Sequence, residues 1–205
     1  MKTLRVSIFP AFAVFISGTC VMSLQILGSR LMIPTLGATI NVWTALISLF
    51  LVGIAFGYYL GDIIADKILS FKVLGSLFIL VALFVSQISF LNLLVSSYFL
   101  ETTLPYWIVS LLYTTLLLFI PATIFGTITI YTIRLSLKKS QNVGRINGFL
   151  YAISTIGSLF GILGTGFYLI PFLNISTILL ILSSTLFLSG IIFLLHGWYI
   201  DKILD

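Results

Sequence analysis

Residues 43–67, WTALISLFLVGIAFGYYLGDIIADK, decide how the chain folds. No charge occurs from Trp43 to Gly61, about the 20 residues an α-helix needs to cross a bilayer core. Gly53, Gly57 and Gly61 recur at every fourth position. On a helix that spacing aligns three missing side chains, so another helix backbone can approach closely. The run then ends in Asp62, Asp66 and Lys67, a packing face delivered to a charged turn.

The surrounding composition excludes a soluble fold. The 205 residues are 60% hydrophobic and 7% charged, with a mean hydropathy of +1.26, whereas soluble domains carry about 25% charged residues. The apolar runs are long and lack period-two alternation, which points to helices rather than a membrane barrel. The net charge of +5 is the usual excess of Lys and Arg on cytoplasmic loops and calls for no nucleic-acid partner. Cys20, the single cysteine, makes neither an internal disulfide nor a metal site, and no cofactor is expected. The opening MKTLRVSIFPAFAVFISG continues apolar toward Leu27 without a small-residue cleavage pattern, so it reads as a retained first helix.

Six membrane helices account for the chain as one domain over residues 1–205, at about 6–32, 42–61, 73–94, 106–133, 148–170 and 175–195. Placing the N-terminus in the cytoplasm puts Lys2, Arg5, Lys67, Lys72, Arg134, Lys138, Lys139, Arg145 and Lys202 inside and only Arg30 outside. Both termini are therefore expected in the cytoplasm, with the protein in the cytoplasmic (inner) membrane. The fourth helix would span roughly 42 Å against a core of about 30 Å, and Pro121 is expected to kink it. The fifth repeats the glycine theme at Gly157 and Gly161, and Pro171 is expected to stop it. Helices three and six are bulkier and suit lipid-facing positions. Arg30 follows helix one as Arg134 follows helix four, and GYYLG closes helix two as GFYLIP closes helix five. Triplets entering from opposite sides in this way would form an inverted repeat.

Two segments carry a family likeness: LQILGSRLMIPTLGATINVWTALISLFLVGIAFGYYLGDIIADK, residues 24–67, and GRINGFLYAISTIGSLFGILGTGFYLIPFL, residues 144–173. Together they resemble the membrane domain of the spermidine-synthase-like membrane proteins, in which a major-facilitator-like module is fused to an aminopropyltransferase. The resemblance implies an all-α half of a major-facilitator-like fold. In that arrangement helices two and five meet an opposite half, one and four line the cavity, and three and six face outward. It also implies a soluble catalytic domain, which has no counterpart before the chain stops at Asp205, so no catalysis is expected on this chain. Departures from the pattern are Gln25 where the family commonly has Glu, Asp62 where it tends to have Gly, and Ile63 where it has Arg.

Candidate sites follow from both arguments. Gln25 and Arg30 are candidates for a substrate cavity; the plainer readings are helix packing for Gln25 and a snorkelling cation for Arg30. Asp62, Asp66 and Lys67 form a candidate cytoplasmic latch, since the resemblance places a charge latch at this turn. Otherwise the two aspartates are exposed turn charges that neutralise Lys67 and Lys72 and fix topology. Gly53, Gly57, Gly61, Gly157 and Gly161 are the expected helix-packing face, open to a second copy or a partner membrane half. The function implied is a half-transporter for a small metabolite, acting as a dimer in the bilayer. The alternatives are a membrane anchor for a separate soluble aminopropyltransferase-like subunit in polyamine metabolism, or a structural membrane protein without a ligand.

Overall fold

The structure, a computed structural model, describes residues 8–99, 103–137 and 143–204. These residues are helical apart from short connections, with no strand among them. Six helices are long and apolar enough to cross a membrane. They are α1 (Ile8–Leu36), α2 (Ile40–Lys67), α3 (Phe71–Phe99), α4 (Tyr106–Leu137), α5 (Val143–Phe172) and α6 (Ile175–Leu204). The expected positions Val6, Lys2, Arg5, Lys138 and Lys139 lie outside the described residues.

Each helix runs past its expected end, because backbone hydrogen bonding continues beyond the point where hydropathy falls. The α1 helix passes residue 32, carries Pro34 in its last turn and stops at Gly37. There φ is +72°, a conformation glycine adopts without strain, and the Gly37 N–H donates to Ile33 O at 2.8 Å. The two membrane prolines are handled alike. A π-helical turn, Thr115–Phe119, precedes Pro121, and another, Gly164–Leu169, precedes Pro171. Widening the turn makes room for a ring that would otherwise strike the carbonyl four residues back. Pro171 therefore does not end α5; the helix continues to Phe172 and breaks at Leu173, where the backbone is extended.

Three helix pairs build the bundle: α1 with α5, α2 with α4, and α3 with α6. Exchanging α1 with α4, α2 with α5 and α3 with α6 maps this set of pairs onto itself. The helices α1 and α4 are the enclosed centre. From Pro121 to Ile133 every residue but Ile130 is buried, and α1 buries Leu24, Leu27 and Met32 completely. The other four helices surround them, each with one apolar face exposed.

Candidate functional site

Helix α2 ends beside the last turns of α4, and charge gathers there. Asp62 and Asp66, four residues apart, share one face of α2. Arg134, in the last turn of α4, lies between them. Its Nε is 3.1 Å from Asp62 Oδ1, and its Nη2 donates to Asp66 Oδ1. The Nε contact is an ion pair without hydrogen-bond geometry. Side-chain exposures of 40% for Arg134, 55% for Asp62 and 63% for Asp66 make this a surface clasp, worth about 0–1 kcal/mol.

One turn earlier, the buried Tyr131 ties α4 to the α2–α3 turn. Its hydroxyl accepts from the Ser70 N–H at 2.8 Å, and its single proton is shared between Ile68 O at 2.8 Å and Ser70 O at 3.1 Å. Of the expected latch residues, Asp62 and Asp66 face Arg134 and Lys67 does not. Lys67 is exposed and makes no ion pair among the described residues, because one step past Asp66 turns its side chain about 100° away from α4. Arg134, counted above among the inside cations, is the cation of the cluster.

A second tie closes the same end of the bundle. Lys72 Nζ lies 2.6 Å from Asp201 Oδ2 and 5.5 Å from the centre of the Trp198 ring, joining α3 to α6. His196 stacks on Phe9 at 3.7 Å and meets Phe71 edge-on at 4.8 Å, which brings in the start of α1.

Gln25 and Arg30 are not brought together. Five residues on a helix separate them by about 140°, Gln25 is half-buried, and Arg30 is exposed at the opposite end from the clasp. Neither makes a hydrogen bond or ion pair with another described residue.

The glycine lines are consumed within the chain. A Cβ on Gly57 would strike Thr123 O, and one on Gly61 would lie 2.7 Å from Thr127 O, so both face α4. Gly53 meets Ala122 and Phe119 O on α4. Gly157 and Gly161 press in the same way on Phe15 O and Thr19 O of α1. The five glycines, expected as a helix-packing or dimer face, pack on the central helices of the same chain. Hydroxyls lock both crossings, Thr127 Oγ1 donating to Gly57 O at 3.1 Å and Ser23 Oγ to Gly161 O at 3.3 Å.

These contacts repeat in register. Gly53 on Phe119, Gly57 on Thr123 and the Thr127–Gly57 bond correspond to Gly157 on Phe15, Gly161 on Thr19 and the Ser23–Gly161 bond, with every matched residue 104 positions apart. The same offset superposes Arg134 on Arg30. It places Gly166 and Ile170 where α2 has Asp62 and Asp66; allowing for the residue that the π turn inserts, the places fall to Phe167 and Pro171. No carboxylate stands at either set. The clasp therefore exists at one end of a two-fold arrangement and not at the other.

Residue-type reasoning missed Tyr131, Arg134 as a clasp residue, and the approaching glycines Gly18, Gly126, Gly75 and Gly190. The 104-residue spacing of Gly-x-x-x-Gly against Thr was the signal that could have found the first two crossings. In comparisons with known proteins, no family model, curated protein or solved structure matches this chain.

Proposed function

We propose that the chain is a transport unit for a small metabolite in the cytoplasmic (inner) membrane, a half-facilitator-like bundle that works as a dimer and carries no chemical step of its own. The observation that carries this reading is the clasp of Arg134 by Asp62 and Asp66, present at one end of an internally repeated bundle and absent at the other. Inverted repeats supply two conformations of similar energy by exchanging the roles of their halves. A contact made at only one end biases that equilibrium. At about 0–1 kcal/mol the bias is small enough for the differential affinity of a substrate to overcome. The family resemblance supports the same reading, and the excess of Lys and Arg supports a cytoplasmic position for the clasp. Arg30, exposed at the far end, is the residue we assign to meet an anionic group.

The test is flux in proteoliposomes holding the full chain, with small organic anions as first probes because of Arg30, and labelled spermidine and putrescine beside them because of the resemblance. Arg134→Gln is expected to change the uptake rate while the protein remains folded. A chain that passes neither polyamine nor any of a panel of small organic anions above empty vesicles would refute the proposal.

A further inference from the structure

The outward wall formed by α3 and α6 is a lipid-type surface, with Leu80, Leu83 and Phe90 on one helix and Leu180, Phe187 and Leu188 on the other all exposed. Two polar side chains interrupt it, Gln87 and Ser184, both exposed. Gln87 lies about 24 Å along a helix of about 42 Å, close to its middle. At the same depth an open groove of about 350 Å³ runs between the helices, lined by Ala82, Ser86, Ser183 and Ser184 among others. Ser86 and Ser183 satisfy themselves, their hydroxyls donating to Leu83 O at 2.8 Å and Leu180 O at 3.0 Å. Gln87 has no hydrogen-bond partner among the described residues.

A primary amide brings two N–H donors and an acceptor to a face turned toward acyl chains, where the exposed hydroxyl nearby is that of Ser184. Snorkelling does not help, because at least about 12 Å of hydrocarbon lies on either side, beyond the reach of a glutamine side chain. Acyl chains cannot bond to it. A membrane-embedded group that both donates and accepts satisfies it best, and a second Gln87 is such a group. Around a two-fold axis along the membrane normal, the amide of each copy donates to the carbonyl of the other. The leucines and phenylalanines around it supply the packing that polar contacts between membrane helices need.

We infer that the α3–α6 wall is the docking surface for a second copy of this chain, with Gln87 bonded to Gln87 of the partner subunit. The inference rests on the dimeric part of the reading above and not on transport. It replaces the glycine faces of α2 and α5, which the chain already fills, and it leaves Arg30 and the clasp uncovered.

The experiment measures dimerisation of the labelled full chain in lipid vesicles by single-molecule photobleaching across a dilution series. Gln87→Leu is expected to weaken the dimer about 3- to 30-fold, the range for polar contacts between membrane helices, with an unchanged melting profile as evidence of folding. Gln87→Asn, which keeps the amide, retains part of the affinity. Gln87→Cys crosslinks two copies under oxidant, whereas Ile156→Cys on the exposed face of α5 does not; the native Cys20 is buried and does not compete. A dimer unaffected by Gln87→Leu, or one that crosslinks through residue 156 instead, overturns the interface and leaves the dimer standing. A wild-type chain that stays single at every dilution overturns both.

Discussion

Placing a methyl group on Gly57 tests how the bundle is held together. In Gly57→Ala the new Cβ meets Thr123 O inside contact distance and stands 2.9 Å from Gly126 Cα. Carbon–carbon contacts are comfortable at about 3.5–4.0 Å, so α2 and α4 must part by about 1 Å. Thr123 and Gly126 present backbone rather than flexible side-chain ends, so no rotamer change relieves the clash. Overpacking of this kind costs about 1–3 kcal/mol. Parting the helices also strains the Thr127–Gly57 bond, and such bonds average about 0.6 kcal/mol in membrane bundles. Against this, alanine gains about 1 kcal/mol of helix propensity over glycine. The net expectation is a loss of about 0.5–2.5 kcal/mol.

Two companions make the experiment decisive. Gly161→Ala in α5 should cost about the same, because its Cβ meets Thr19 O and the Ser23 Oγ at 3.1 Å in the matching geometry. Gly144→Ala should be neutral or slightly stabilising, since nothing lies within 4 Å of its Cβ and, in the first turn of α5, it gains only part of the propensity difference of about 1 kcal/mol. The assay is reversible unfolding of the detergent-solubilised full chain, followed by helical circular dichroism. Equal stabilities for the Gly57 and Gly144 variants would refute close helix approach. A loss at Gly57 with none at Gly161 would refute the repeat.

Three further outcomes are expected. Tyr131→Phe removes the hydroxyl that serves Ser70 N and Ile68 O, and should cost about 1–3 kcal/mol while raising protease cleavage at the α2–α3 turn; unchanged cleavage would argue against that tie. Arg134→Gln should lower stability by less than about 1 kcal/mol, an effect that shrinks in high salt and that the swap Asp66→Arg with Arg134→Asp partly reverses, whereas Lys67→Ala should do nothing; an equal effect of the lysine variant would place it back in the clasp. Ser17→Ala deletes a buried hydroxyl with no partner and should stabilise by up to about 1 kcal/mol in the same unfolding assay, where a loss would mean that the hydroxyl is satisfied in the bilayer.

Local sequence was a good guide wherever a residue's role depends on its solvent. Hydropathy runs as long as a bilayer core determined the six helices, since no other element satisfies its own backbone in lipid. The every-fourth spacing of Gly53, Gly57 and Gly61 determined a close-packing face in the same way. Helix ends were less legible. Hydropathy marks the edge of the hydrocarbon, while the backbone ladder of α6 runs on past His196 to Leu204. Pro171 read as a stop because a proline breaks α-helical bonding, whereas the π turn before it lets the helix continue.

What the sequence by itself determined is a six-helix membrane chain with two glycine-lined helices and a charged turn. Only the tertiary structure decided which helix fills each glycine line and which cation closes the turn. The physical reason is distance along the chain. Gly57 and Thr127 are 70 residues apart and Asp66 and Arg134 are 68 apart, so their pairing depends on how whole helices are arranged. A glycine face looks the same whether its partner lies on the same chain or on another. Arg134 looks like any loop cation until α4 is packed on α2, and that packing turns a polar helix end into a clasp.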